Sequence, residues 1–262
     1  MTSTPCRLVF ITGASSGIGL ALARACLQRG WRVALVARRT DTLRALLTDE
    51  GWPPTHWRIW CADVADASAL QTVAQDCMAS LGLPDIVVAN AGISLGVDLE
   101  DPADLAVFGQ VMDTNVMGLV RTFSPFIGPM RERGSGHLVG IASVAGVRGL
   151  PGHAAYCASK AAVISCCESL RGELAPHGIR VSTLLPGYVA TPLTARNRYA
   201  MPFLMQPQAF AHQALRAIDA GVRCRVIPWP MGLVARLLRV LPDAWFDRLL
   251  RGRPRKHRHS ER

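Results

Sequence analysis

The sequence predicts an α/β fold in which seven parallel strands, in the order 3-2-1-4-5-6-7, form one doubly wound sheet with helices on both faces. Two observations carry this. Short apolar runs at 8–11, 32–37, 58–62, 85–89, 138–143, 180–185 and 225–227 alternate with longer stretches of helical periodicity along 262 residues. Strands that alternate with helices pair in parallel and are covered on both sides. The first run also ends in a glycine-rich turn, TGASSGIG at 12–19. In an open sheet of this kind the strand order reverses beside the first strand, and a ligand sits there at the carboxyl edge.

Leu8, Val9, Phe10 and Ile11 read as a buried strand. Past the turn, Ile18, Leu22, Ala25 and Cys26 repeat at helical spacing until Gly30 stops the helix. Gly13, Gly17 and Gly19 let backbone come close to a diphosphate, and Ser15, Ser16 and Ile18 lie where the helix start presents free N–H groups to an anion. Taken alone, such a segment can also be only a turn. The second run ends VALVARR, at Ala37, Arg38 and Arg39; Asp63 and Val64 follow the third; Asn90, Ala91 and Gly92 follow the fourth. Ser143 closes the fifth, and Pro186, Gly187, Tyr188, Val189 and Thr191 follow the sixth. These elements make one domain over 1–228. An extension over 229–251 reads as two amphipathic helices, the first with Leu233, Val234, Leu237, Leu238 and Leu241 on one face and Arg236 and Arg239 on the other. After Pro242, Asp243 can cap a second helix carrying Trp245, Phe246, Leu249 and Leu250.

Composition narrows the function classes. Half of the residues are hydrophobic, enough for one substantial core. The formal charge is +10, but residues 251–262 hold five arginines and a lysine against one glutamate, so half of the excess lies at the end of the chain. A basic tail at 252–262 is expected to be disordered, and a nucleic-acid function is not expected. Eight cysteines fall without metal-like pairing, as reduced thiols, and no metal site is expected. With neither a secretory pattern nor a run of about twenty apolar residues, a cytoplasmic protein is expected.

The chemistry points to Tyr156 and Lys160. At i and i+4 on one helix their side chains share a face, so the ammonium can stabilise a phenolate and lower the phenol from its ordinary value near ~10. That makes a proton donor and acceptor. Ser143, thirteen residues upstream, can hydrogen-bond the same substrate oxygen.

TGASSGIG at 12–19, Asp63–Val64, NAG at 90–92, the asparagine of NVMG at 115–118, Ser143, YCASK at 156–160 and PGYVAT at 186–191 occur in one order over roughly 7–227. In these motifs the chain resembles the short-chain dehydrogenase/reductase (SDR) family, whose glycine pattern G-x-x-x-G-x-G it shares. The resemblance implies a Rossmann-type fold and hydride transfer between a nicotinamide dinucleotide and a carbonyl/hydroxyl pair, with Asn115, Ser143, Tyr156 and Lys160 as catalytic residues. It implies that Lys160 also bonds the nicotinamide ribose, and that Asn115 helps hold a water leading from Lys160. A buried asparagine that satisfies backbone is the competing reading of Asn115. Asp63 would bond the adenine amine, Asn90, Ala91 and Gly92 would pack along the adenine ribose, and Val189 and Thr191, with Pro186 and Gly187, would meet the nicotinamide. A carboxylate at the end of the second strand would select NAD; Ala37 followed by Arg38 and Arg39 favours NADP(H) instead. Arginines that merely begin a helix in solvent are the alternative.

Ser94, Ala145, His153, Tyr188 and Phe203 are candidate substrate residues, and Met201, Leu204 and Met205 beside Phe203 favour an apolar ketone or alcohol. His153 can equally be a rim or packing residue. A 3-oxoacyl thioester is the nearest rival substrate, and a dinucleotide-binding scaffold or sensor without turnover is the reading from another class. The family resemblance further implies a homodimer or homotetramer formed through the helices after Asp104 and after Tyr156. For 229–262 two readings stand open: packing over the cleft or a partner subunit, or peripheral contact with an anionic membrane through the apolar faces and the basic tail.

Overall fold

In the computed structural model, which describes residues 6–195, 197 and 200–252, seven strands form one parallel sheet. They are β1 (Leu8–Thr12), β2 (Arg32–Ala37), β3 (Trp57–Cys61), β4 (Ile86–Ala89), β5 (Gly136–Ile141), β6 (Ile179–Pro186) and β7 (Cys224–Ile227), in the order β3-β2-β1-β4-β5-β6-β7. The expected sheet order is the one observed. β1 lies at its centre, Leu8 opposite Arg32 on one side and Val9 opposite Ile86 on the other.

Alternation along β1 divides the core. Val9 and Ile11 face one side, with α1 (Gly17–Leu27), α2 (Thr40–Asp49) and α7 (Pro207–Asp219). Leu8 and Phe10 face the other, with α3 (Ala67–Leu81), α5 (Gly118–Arg133) and α6 (Ala154–Leu174). The Phe10 and Phe126 rings meet with centroids 4.9 Å apart, both fully buried. Truncating either to alanine would cost about 3–5 kcal/mol. α5 keeps its helix despite Pro125 and Pro129, because Leu119, Phe123, Phe126 and Met130 are buried along its inner face. α4 (Ala103–Met112) joins α5 through a π-helical turn at Asp113–Met117, where the Gly118 N–H reaches back to the Asp113 carbonyl. Asn115 lies in that turn.

Strand ends shift where side chains take over from the ladder. β5 stops at Ile141 rather than at Ser143, because the Ser143 hydroxyl accepts the Ala145 N–H at 3.1 Å and opens a 3-10 turn at Val144–Gly146.

The larger correction concerns the extension. It forms α8 (Trp229–Val240) and α9 (Asp243–Leu250). In α8 the buried residues are Met231 and Ala235, while Leu233 and Leu237, assigned from the sequence to one face with Val234 and Leu238, point outward at 56% and 64% exposed. Two contacts set the rotation. A Cβ on Gly187 would come within 2.8 Å of Met231 Cγ, so Met231 seats on a position bare of side chain. Arg148 holds the other end of α8: its guanidinium donates to the carbonyls of Leu238 and Leu241 and to the Asp243 carboxylate, and lies 3.9 Å from the centroid of the Phe246 ring. The basic tail, apart from Gly252, lies outside the described residues.

Candidate active site

A cavity of about 480 Å³ runs along the carboxyl edge of the sheet and gathers the β1–α1 turn, the ends of β2 to β6 and one face of α6. Its size is that of a small-molecule or cofactor site. Among the residues expected to bind a cofactor, Gly13, Ser15, Ser16, Gly17, Ile18, Arg38, Arg39, Asp63, Val64, Asn90, Ala91, Gly92, Tyr156, Lys160, Pro186, Gly187, Val189 and Thr191 line it, and Ser143 joins them.

The turn is shaped by close approach. A Cβ on Gly19 would stand 2.4 Å from the Gly13 carbonyl oxygen, and one on Gly13 would stand 2.8 Å from Ala91 Cα, so backbone occupies the volume a side chain would take. Gly19 therefore shapes the turn from behind and does not line the cavity. Ser16 occupies the N-cap of α1 without a side-chain hydrogen bond, which leaves the first N–H groups of the helix to face the cavity. Asn90 works behind the turn: its amide donates to the carbonyls of Thr12 at 2.9 Å and Gly13 at 3.3 Å. Thr12 answers by accepting the backbone N–H of Asn90 on its hydroxyl at 3.2 Å. This brace was missed among the candidate residues, although Thr12 stands in the turn motif itself. These features fit a dinucleotide whose diphosphate lies on the helix start.

At the β2 edge Arg38 reaches the Asp63 carboxylate at 3.3 Å and Arg39 reaches the Ser15 hydroxyl at 3.5 Å. Asp63 also accepts the Ala65 N–H at 3.0 Å. Both arginines line the cavity, and Arg38 is 69% exposed, so its ion pair with Asp63 is weak and readily exchanged.

At the other end Tyr156, Lys160 and Ser143 converge. The Lys160 ammonium donates to the Ile141 carbonyl at 2.8 Å and lies 5.9 Å from the centroid of the Tyr156 ring. Burial pushes the Tyr156 phenol up to about 12, with a hydrogen bond to Ser143 working in the opposite direction, and burial pushes Lys160 down to about 8. The sequence led to the opposite expectation for Tyr156, a phenol lowered by the cation. Desolvation is the largest influence on the phenol, and Lys160, buried and turned to the Ile141 carbonyl, does not offset it. Tyr156 is thus held as a neutral O–H.

Asn115 is 2% exposed and stands behind the cavity. Its side chain accepts the Ile93 N–H at 2.8 Å and donates to the Ile93 carbonyl and the Ser159 hydroxyl, each at 2.9 Å. The backbone-satisfying reading describes these contacts, which tie the π turn to the β4 end and to α6. Ser159, which also donates to the Tyr156 carbonyl at 2.8 Å, completes the tie and was not among the site residues expected from the sequence.

The substrate candidates fare differently. Only Ser143 lines the cavity; Ser94, Ala145, His153, Tyr188 and Phe203 do not. His153 is buried at the N-cap of α6, with Nδ1 3.1 Å from the Pro151 carbonyl. Phe203 is 52% exposed with φ of +57°. Its segment is pinned where the Met205 N–H meets the Tyr188 carbonyl at 2.9 Å and the Ala190 N–H meets the Met205 carbonyl at 2.8 Å. Pro192, Leu193 and Thr194 supply the cavity wall on this side, and Thr194 braces it by donating to the Val189 carbonyl at 2.6 Å.

Sheet order and cavity together define a doubly wound α/β protein with a ligand cleft at the switch point of its sheet. Residues 7–201 match the family model for short chain dehydrogenase, and the chain belongs to that family and is an oxidoreductase. The family implies a nicotinamide dinucleotide as cofactor. An uncharacterized oxidoreductase of Myxococcus xanthus is 39% identical over 241 residues, covering 92% of this chain and 95% of the relative. Dehydrogenase/reductase SDR family member 7B of Bos taurus is 32% identical over 272 residues, covering 97% and 83%. Among solved structures, a short-chain dehydrogenase from Streptomyces avermitilis superposes with a TM-score of 0.78 at 26% identity, covering 94% of this chain and 98% of that one.

Proposed function

We propose that the protein is an NADP(H)-dependent oxidoreductase that interconverts a ketone and a secondary alcohol on an apolar substrate. One observation carries the reading: a single cavity holds the glycine turn and the Arg38–Arg39 pair at one end and Ser143, Tyr156 and Lys160 at the other. The helix start and Ser15 and Ser16 hold the diphosphate, Arg38 and Arg39 face the 2′-phosphate, and Val189 and Thr191 hold the carboxamide. When bound, the dinucleotide supplies hydride chemistry. The chain's own residues handle the oxygen. Ser143 and Tyr156 fix the carbonyl oxygen, and the neutral phenol gives its proton to that oxygen as it gains charge; Lys160 then stabilises the phenolate left behind. In alcohol oxidation the same proton travels back to Tyr156.

Free, unpaired cysteines support a reducing compartment and so a cytoplasmic protein. Exposed Leu105 on α4, Met117 in the π turn and Val120 on α5, with exposed Ala158, Ala161 and Ser165 at helical spacing on α6, support a homodimer or homotetramer built on these helices. The test of function is a screen that follows NADPH absorbance with apolar ketones and 3-oxoacyl thioesters, each repeated with NADH. Consumption of NADPH with a ketone is expected. A preference for NADH, or turnover confined to thioesters, would refute the reading.

A further inference from the structure

The outer face of α8 and α9 belongs neither to the cleft nor to the core. Trp229, Leu233, Leu237 and Val240 recur at helical spacing along α8 and are 71%, 56%, 64% and 76% exposed; on α9, Trp245 and Leu249 are 69% and 47% exposed. Exposed apolar residues gathered along one helix face mark an interaction site. It is flanked by cations: Arg236 and Arg239 on α8, Arg248 on α9 and Arg251 just beyond are all exposed, against Asp243 and Asp247. Asp243 is already paired with Arg148. The sequence then adds Arg253, Arg255, Lys256, Arg258 and Arg262 directly after the face.

We propose that this face docks the protein on an anionic lipid bilayer, with the two tryptophans and the leucines entering the boundary between headgroups and acyl chains while the arginines meet lipid phosphates. Charge decides between this occupant and a second copy of the chain. Two such faces laid together would bring each copy's arginines against those of the other, whereas an anionic surface neutralises them. Exposed tryptophan beside arginine is also the composition that suits the interfacial zone of a bilayer. No helix among the described residues is long and apolar enough to cross a membrane, so the contact is peripheral. Arg148 gives the contact a fixed bearing on the enzyme, since it clamps the docking helices to the loop that begins at Ser143.

Full-length protein is tested by co-sedimentation with vesicles of phosphatidylcholine alone and of phosphatidylcholine with phosphatidylglycerol. Wild type is expected to sediment with the anionic vesicles at low salt and to be released as salt rises. Leu233→Gln/Leu237→Gln, which alters only exposed positions, is expected to stay largely in the supernatant. Arg236→Gln/Arg239→Gln is expected to partition about twenty-five-fold less, roughly fivefold for each charge. Brominated acyl chains are expected to quench wild-type fluorescence and to quench Trp229→Phe/Trp245→Phe far less. The proposal is overturned if wild type ignores anionic vesicles, if the leucine variant binds them undiminished, or if quenching survives loss of both tryptophans. It is equally overturned if light scattering shows a wild-type dimer that the leucine variant converts to monomer, because a second copy would then cover the face.

Discussion

Replacing Arg148 by alanine should loosen the two C-terminal helices from the body of the protein. The guanidinium is 16% exposed and serves three partners, two carbonyls at the end of α8 and the Asp243 carboxylate, while stacking on Phe246. The carboxylate contributes little, because Asp243 is 96% exposed and its charge is screened by water. Hydrogen bonds to a charged donor contribute about 1.5–3 kcal/mol each, and a partly desolvated cation over an aromatic ring about 1–2. Water can reclaim the freed carbonyls near the helix end, so the net loss comes to about 3 kcal/mol. That corresponds to roughly a 150-fold rise in the opening of this segment. Hydrogen exchange read by mass spectrometry should show faster exchange by about that factor over 229–250, with β1 and α1 unchanged. Arg148→Lys should recover only part, since one ammonium cannot span the set of acceptors. Unchanged exchange over 229–250 in Arg148→Ala would refute the clamp.

Arg38→Asp should reverse cofactor preference: loss of a charge-assisted phosphate contact is worth about 1.5–3 kcal/mol, ten- to a hundredfold in NADPH affinity. Equal wild-type affinities for NADPH and NADH, measured by fluorescence titration, would count against Arg38 and Arg39 as selectors. His137 should set an acid limit to stability. Its Nε2 lies 2.8 Å from the Ser182 hydroxyl, which itself donates to the Val222 carbonyl, so Nε2 carries the proton and buried Nδ1 has no partner among the described residues. Burial, with Arg180 and Arg7 adding repulsion, pushes it down to about 4 from 6.5. Between those values the unfolded chain binds a proton that the folded chain does not, so stability falls as pH drops from 6.5 towards 4, by about 3 kcal/mol in all. Urea unfolding across that window should show a shallower pH slope in His137→Gln; equal slopes would remove the assignment. Ala158→Arg should dissociate the assembly on the α6 face, and a wild-type mass of one chain by light scattering at micromolar concentration would rule the assembly out.

The sheet was legible because its strands are continuous apolar runs and its turn chemistry sits at the first of them; the order of the strands follows from how crossovers wind. The residues that line the cavity were legible to the extent that they lie in contiguous motifs at strand ends, where the strands themselves aim them. The groups behind the cavity were not. Thr12, Ser159 and Arg148 act through contacts between elements distant in sequence, and no local spacing announces a threonine that holds an asparagine 78 residues away. The π turn at Asn115 escaped because its residues keep helical spacing and differ only in one hydrogen bond. The rotation of α8 escaped for another reason: with apolar residues around most of its circumference, the helix takes its inward face from Gly187 and Arg148, not from its own pattern. Burial likewise reversed the expected direction for Tyr156, because a pair on one helix face gives proximity and says nothing of desolvation.

The proposed function rests on the Tyr156 phenol delivering the proton to a substrate oxygen. Its direct measurement is the comparison of wild type with Tyr156→Phe for NADPH affinity and for single-turnover reduction of the best ketone from the screen. Phenylalanine keeps the ring beside Lys160 and removes only the hydroxyl. NADPH affinity is expected within about twofold of wild type, with a rate lower by roughly a hundred- to ten-thousandfold. A Tyr156→Phe enzyme that reduces the ketone at nearly the wild-type rate would contradict it.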